Sequence, residues 1–342
     1  MNAKTFIGAF VGAISACFVF ISLLVWYVDP YQFYGKNEAY GISENYRYQN
    51  PGLAKHYDYE TILIGTSITH VIRPSTVDSV FNTETMKLTI KGSSNHEQYL
   101  MAKLALETGK PKRVIWGADY FTATREYNKA LNDRDFPHYL YDDNYLNDWV
   151  FLFNLGNLKL TVNRLLQEDT IRADFNKIEV QYSKKGGLKQ ILSRKETDSY
   201  DIPGDIYKIG PTIKENVDHN MVELIEAYPE VQFEVYIAPY TVLFLQDSLV
   251  FERNKVFAEY LVEKLDPLPN VNVHFFQAEK SISHNFEQFV DRYHSKPSIG
   301  RFIVEHLKSG DYKVGAKDMS EKFKTMKRQT EDFYVDNYLM RE

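Results

Sequence analysis

The hydrophobic positions of this chain fall into three regimes. Residues 5–28, TFIGAFVGAISACFVFISLLVWYV, are apolar or small and carry no charge. A run of that length predicts a helix able to span a bilayer core about 30 Å thick. From residue 61 onward, short apolar runs alternate with segments of helical period. The closing residues 311–342 place one apolar stripe in a highly charged background.

Within the middle regime, Ile62-Leu63-Ile64 is an unbroken apolar run following Thr61, as expected of a parallel strand buried on both faces. Gly65 then permits a tight turn. Arg73–Phe81 predicts a short helix opened by Pro74, and Met86–Ile90 a second strand closed by Gly92. Ser94-Asn-His-Glu97 is a capping box that starts a helix running to about Thr108, where Gly109 stops it. Arg113–Gly117 predicts a third strand. Alternation of strand, helix and strand implies βαβ units and a parallel sheet.

Residues 121–210 break this pattern. They hold a predicted helix at about 143–167 and a basic-polar stretch at 183–205, and read as a helical insertion or cap on the sheet. Regularity returns with a helix at about 212–227, a strand at 232–238, a helix at about 250–265 and a strand at 271–276. Pro297 opens a further helix with Ile299, Phe302, Ile303 and Leu307 on one face. Met319, Phe323, Met326 and Phe333 recur at helical spacing, predicting a tail helix that packs on the domain. The expected organisation is an anchor at 1–28, a connector at 29–58 with neither helical nor strand period, an α/β domain at 59–310, and the tail helix at 311–342.

Composition narrows the class. With 44% hydrophobic and 25% charged residues the chain is that of a folded protein, and a net charge of −6 gives no reason to expect nucleic acid. Cys17 is the single cysteine, so neither an intramolecular disulfide nor a cysteine-rich metal site is possible. Lys4 and the amino terminus precede the apolar run and Asp29 follows it, which predicts the amino terminus inside and the body outside, with Trp26 and Tyr27 at the outer interface. The run exceeds the apolar core of a cleaved signal peptide. Ile14-Ser-Ala-Cys17 is like a lipoprotein cleavage box, but cutting there would leave FVFISLLVWYV exposed, so an uncleaved anchor is expected. His56, His70, His96, His138 and His219 are scattered without HExxH spacing, and no glycine-rich phosphate loop occurs; no metal or cofactor is expected. Phe136, Tyr139, Tyr141, Tyr145, Trp149, Phe151 and Phe153 suit sugar stacking or core packing, and core packing is the preferred reading.

The candidate chemistry begins at Ser67, just past the first predicted strand. In open α/β sheets ligands bind at the carboxyl ends of the strands. Taken alone, Gly65-Thr66-Ser67 reads as an ordinary turn. Asp291-Arg-Tyr-His294, immediately before the Pro297 helix, changes the balance. A serine hydroxyl becomes nucleophilic when a base takes its proton, and an imidazole serves best when a carboxylate fixes its tautomer. An aspartate three residues before a histidine brings both side chains toward one point.

This order, a Gly-x-Ser after the first strand, a glycine after the second and an Asp-x-x-His near the carboxyl end, resembles the SGNH hydrolase superfamily. The resemblance spans roughly residues 59–308 without the insertion. It implies a three-layer, flavodoxin-like α/β sandwich with Ser67 as nucleophile, His294 as base, Asp291 as its orienter, and the N–H groups of Ser67 and Gly92 as oxyanion donors. Two positions depart from the family pattern. Thr66 stands where the family has aspartate, and Asp119, in Gly117-Ala118-Asp119, stands where an asparagine donates to the oxyanion. An ionised carboxylate only accepts hydrogen bonds. Either Asn95 substitutes as donor or Asp119 instead holds a loop.

An anchor followed by such a domain is similar to membrane-anchored SGNH-like proteins of bacterial envelopes, including DltD-like proteins of teichoic-acid D-alanylation and alginate-type O-acetylation proteins. The resemblance implies an extracytoplasmic esterase or O-acyltransferase, an acylated envelope glycan or teichoic-acid-like polymer as substrate, and a multi-spanning acyltransferase as partner. The competing expectation is a catalytically inactive domain that binds polymer or scaffolds an assembly complex.

Overall fold

The computed structural model describes residues 2–37, 41–142, 144–166, 176, 186–193 and 206–335. Along the chain, α1 (Ala3–Val28) and α2 (Tyr46–His56) precede β1 (Thr61–Ile64), α3 (Pro74–Phe81), β2 (Thr85–Lys87), α4 (Asn95–Glu107) and β3 (Arg113–Ala118). Next come α5 (Trp149–Leu152), α6 (Leu155–Leu165), α7 (Leu188–Ser193) and α8 (Ile206–Val217), which passes through a π-helical turn, Asp218–Val222, into α9 (Glu223–Glu226). The remainder is β4 (Gln232–Ile237), α10 (Val242–Leu245), α11 (Ser248–Leu265), β5 (Val271–Phe275), α12 (Lys280–Ser283), α13 (Pro297–Ser309) and α14 (Ala316–Glu331).

The chain forms two compact units. One holds the residues up to Tyr57 and the segment beginning at Phe136. The other holds Asp58–Asp135 and the described chain from residue 176 onward. Of the range 121–210, residues 121–135 and the described residues from 176 onward belong to the second unit, and the described residues of 136–166 to the first.

The second unit is an α/β structure built on one five-stranded sheet, entirely parallel, in the order β2-β1-β3-β4-β5. This order reverses direction at β1, as in doubly wound sheets. All four residues of β1 are buried, as are Val114, Ile115 and Trp116 of β3, which explains why these strands are apolar on both faces. Pairing runs past the regular end of β2: Leu88 N donates to Leu63 O and Ile90 N to Gly65 O. The strand predicted at 86–90 is therefore hydrogen-bonded over that length although its regular part is shorter. Pro74 opens α3, Ser94 caps α4 by accepting from Glu97 N (3.3 Å), Gly109 turns the chain at φ +69°, and Gly310 ends α13 at φ +78°. The tail helix α14 buries Met319, Phe323 and Met326, with the Phe323 ring 5.8 Å from Phe251 and 5.5 Å from Phe275. Just before it, Lys313 pairs antiparallel with His274 along the free edge of β5. Residues 336–342 lie outside the described residues, as does most of the 183–205 stretch.

In the first unit, α1 is 26 residues with mean hydropathy 2.4, long and apolar enough to cross a membrane. Asp29 ends it in the left-handed region (φ 45°), and its carboxylate accepts from the N–H groups of Phe33, Tyr34 and Gly35 (2.8, 2.8 and 3.1 Å). Two expectations are corrected here. The connector at 29–58 contains α2 in spite of Pro51 and Gly52, because tertiary contacts hold it. Gln49 Nε2 donates to Tyr31 O (2.8 Å), its Oε1 accepts from Ser43 N (3.0 Å), and Gly52 lies too close to the Gln32 carbonyl to admit a Cβ. The single helix expected at 143–167 is broken into α5 and α6. Asn154 interrupts it by turning its side chain onto the N–H groups of Gly156 (2.8 Å) and Asn157 (3.2 Å), capping a new helix. Of the aromatic residues in this region, Phe136, Tyr141 and Phe151 are buried in the same unit, whereas Trp149 and Phe153 are exposed.

Candidate active site

The first part of the site is the turn after β1. Gly65 has φ +146°, and a Cβ there would collide with Thr69 Oγ1 and lie 3.0 Å from Gly117 O. Glycine at 65 therefore answers both a backbone angle that side chains rarely adopt and a close approach between β1 and β3. The turn continues with Thr66 Oγ1 accepting from Ile68 N (3.3 Å) and leaves Ser67 half-buried at the carboxyl edge of the sheet.

The second part is the tight turn between Phe289 and Ser295, which pair antiparallel; Val290 N also donates to His294 O (2.9 Å). Asp291 shapes this turn from inside. Its Oδ1 accepts from His294 N (2.7 Å) and Tyr293 N (3.1 Å), while Oδ2 receives His294 Nδ1 at 2.7 Å. The opposite ring nitrogen, Nε2, lies 2.8 Å from Ser67 Oγ. Burial alone would raise the Asp291 carboxyl, but its bonds to the ring and backbone of His294 and the charge of that ring hold it below the usual carboxylate value. An ionised carboxylate only accepts, so Nδ1 carries the proton, and in the neutral ring Nε2 presents its lone pair to the Ser67 hydroxyl. The three residues Ser67, His294 and Asp291 thus form one relay. The turn is tied to the sheet by Thr241, after β4, whose N–H and hydroxyl both donate to Arg292 O (3.0 and 2.6 Å).

Asp119 lies at the carboxyl end of β3, and β3 neighbours β1, so it emerges at the same edge as Ser67. It is almost wholly buried. Oδ2 accepts from Thr66 Oγ1 (2.7 Å) and Oδ1 from Tyr240 OH (3.2 Å). Burial pushes its carboxyl up to about 6, against the opposing pull of those two hydroxyls and the charge of His294. Of the two alternatives left open by the sequence, the geometry has Asp119 holding a loop, the turn that carries Ser67. Asn95 faces elsewhere: its Nδ2 donates to Asn216 O (3.1 Å), inside a buried amide cluster in which Asn216 also bonds Arg125 O (2.6 Å) and Asn220 bonds Tyr127 O (2.7 Å). Asn95 thus holds the carboxyl end of α8, and it is Asn216 and Asn220 that fix the segment after β3. Gly92 stands in the loop after β2 with φ +59°, placed at the same sheet edge by the parallel pairing of β2 with β1.

Sequence reasoning missed Thr66, Tyr240 and Thr241 as positioning residues. It also missed an aromatic cluster that adjoins the imidazole: the Tyr293 ring centre is 4.4 Å from that of His294, 5.3 Å from Phe244 and 5.7 Å from Phe121. These rings come from the loops after β3 and β4 and from the Asp291–His294 turn, so no local pattern joins them. Among the described residues no group of three metal-ligating side chains occurs. His70 and His274, both buried, face Thr89 Oγ1 (2.8 Å) and Glu234 Oε2 (3.0 Å). No protein-family model matches the chain, and neither does any curated protein.

Proposed function

We propose that this protein is a membrane-anchored, extracytoplasmic serine esterase or O-acyltransferase of the SGNH type, a three-layer α/β sandwich acting on an acylated envelope polysaccharide or teichoic-acid-like polymer. The observation that carries the reading is the relay Asp291 Oδ2, His294, Ser67 Oγ, with separations of 2.7 and 2.8 Å between groups 227 residues apart in sequence. The strand order and the place of Ser67 at the carboxyl edge support the fold assignment. The length and apolarity of α1 support the anchor, and Lys4 before it and Asp29 after it support an amino terminus inside.

In this mechanism Ser67 Oγ attacks the acyl carbonyl carbon while its proton passes to His294 Nε2. Asp291 stabilises the imidazolium and keeps the ring in place. The resemblance assigns the developing oxyanion to the N–H groups of Ser67 and Gly92. As the bond from the carbonyl carbon to the leaving oxygen breaks, His294 returns the proton to that oxygen, and an acyl-Ser67 remains. Water or a sugar hydroxyl then gives its proton to His294 as its oxygen bonds the acyl carbon, and His294 passes that proton to Ser67 Oγ as the bond from the acyl carbon to Ser67 breaks. A multi-spanning acyltransferase is the natural partner where a sugar hydroxyl is the acceptor.

A second reading, a silent domain that binds polymer or scaffolds an envelope assembly, is favoured by the engagement of Asn95 and Asp119 away from any oxyanion. A fluorophosphonate probe separates the two. On the first reading it labels the folded protein at Ser67, and Ser67→Ala and His294→Ala abolish labelling while keeping the circular dichroism of the parent. A folded parent protein that resists the probe rejects catalysis and leaves the binding domain.

A further inference from the structure

Helix α6 is inside out. Its buried side carries Asn157, Thr161 and Arg164, spaced four and three residues apart, and Arg164 is 1% exposed. Each of these residues makes a hydrogen bond within the unit: Asn157 Nδ2 donates to Phe151 O, Thr161 Oγ1 to Asn157 O and Arg164 Nη2 to Gly41 O, each at 2.8 Å. The outward side carries Leu155, Val162, Leu165 and Leu166, with Leu155 81% and Leu166 62% exposed. A helix on an aqueous surface has the opposite arrangement.

The neighbour of α6 explains the inversion. Both α5 and α6 pack against α1, and the Phe153 ring lies 5.4 Å from that of Phe18 in a perpendicular contact. Phe18 is ten residues before the end of α1, so this contact sits about 15 Å down the helix axis, near the middle of a bilayer core of about 30 Å. The exposed rings and aliphatic side chains of α1 and the leucine face of α6 therefore form one continuous apolar surface. At eleven residues α6 is about 16 Å long, too short to cross the core and long enough to lie within one leaflet. Lys159, the charged residue on its outer side, has a stem long enough to carry its ammonium to the headgroups.

We propose that α5 and α6 are immersed in the acyl chains of one leaflet beside α1, so that the protein holds the membrane through a partly embedded helix as well as a spanning one. The inference rests on the reading of α1 as a membrane anchor and is independent of the chemistry at Ser67. It gives the unit two points of attachment, which restricts rotation about the α1 axis.

The test uses the full chain in lipid vesicles, in a Cys17→Ala background, with single cysteines carrying an environment-sensitive fluorophore. Leu155→Cys and Val162→Cys report on α6, Phe10→Cys on the anchor and Glu305→Cys on the aqueous face of the other unit. The α6 labels should lose about half their fluorescence to nitroxide-bearing lipids and little to aqueous iodide, matching Phe10→Cys, while Glu305→Cys shows the reverse. If Phe10→Cys responds to lipid but both α6 labels respond to iodide, the embedded helix is rejected and the anchor stands. If the α6 labels respond to neither quencher, protein covers that face and the proposal is overturned. If Phe10→Cys also responds only to iodide, the anchor reading fails and the inference falls with it.

Discussion

Asp119 accepts a hydrogen bond from the Thr66 hydroxyl at 2.7 Å, so the carboxylate after β3 holds the residue that precedes Ser67 after β1. Ser67 owes its position to a contact between neighbouring strand ends as well as to its own turn. A hydroxyl at 66 and a carboxylate at 119 make this tether. The consequence is a buried acid beside the imidazole.

That acid makes stability depend on pH. Burial pushes Asp119 up to about 6 from an ordinary value of 3.8, so between those values the folded protein holds a proton that the unfolded chain has released. Its stabilising contribution is complete below 3.8, declines as pH rises and is gone above about 6. The span corresponds to about 3 kcal/mol. Asp119→Asn keeps the shape and removes the titration. Denaturant unfolding at several pH values should show the parent losing about 2 kcal/mol more stability than the variant between pH 4 and pH 6. Asp29, also pushed up to about 6 by burial, and Asp291, held low, remain in both proteins and cancel in the comparison. Parallel profiles would reject the assignment.

Asp291→Asn separates shape from chemistry at the relay. The amide oxygen still accepts from the backbone N–H groups of Tyr293 and His294, which keeps the turn, but an amide facing Nδ1 no longer fixes the reactive tautomer. The expected result is an unchanged melting curve to within a few degrees and a probe-labelling rate about 10³–10⁴-fold lower. A labelling rate equal to that of the parent would remove Asp291 from the mechanism.

Gly117 is a packing requirement of the site. A Cβ there would collide with Thr69 Oγ1 and come within 2.7 Å of Tyr236 OH, while Tyr236 OH itself donates to Thr69 Oγ1 at 3.0 Å. Gly117→Ala should cost about 1–3 kcal/mol in unfolding free energy, and should slow probe labelling by shifting the turn that carries Ser67. Full stability in the variant would mean that Thr69 yields freely.

The tail helix belongs to the core of the second unit. Phe323 is buried against Phe251 and Phe275, so Phe323→Ala should destabilise by about 3–5 kcal/mol. An exposed position on the same helix, Lys324→Ala, serves as the reference and should change stability by less than about 0.5 kcal/mol. Equal effects from the two would place the tail outside the cooperative core.

Local chemistry alone determined much of this protein. Apolar length specified α1, the apolar runs at Ile62–Ile64 and Val114–Trp116 specified buried parallel strands, and Pro74, Ser94, Gly109 and Pro297 marked helix ends, because these signals act through a residue's own backbone and nearest neighbours. Ser67, Asp291 and His294 were legible as candidates for the same reason: each sits at a recognisable strand end or turn. Tertiary structure decided what depended on partners distant in sequence. Pro51 and Gly52 argue against a helix, yet α2 forms because Gln49 and Gly52 fit the Tyr31–Gln32 backbone. Whether Asn95 donates to an oxyanion or Asp119 holds a loop was undecided until Thr66, Tyr240 and Asn216 were placed against them. The inverted polarity of α6 has the same origin: Leu155 and Arg164 carry no mark of inside or outside, and only the packing of α6 along α1 turns the arginine inward and the leucine out.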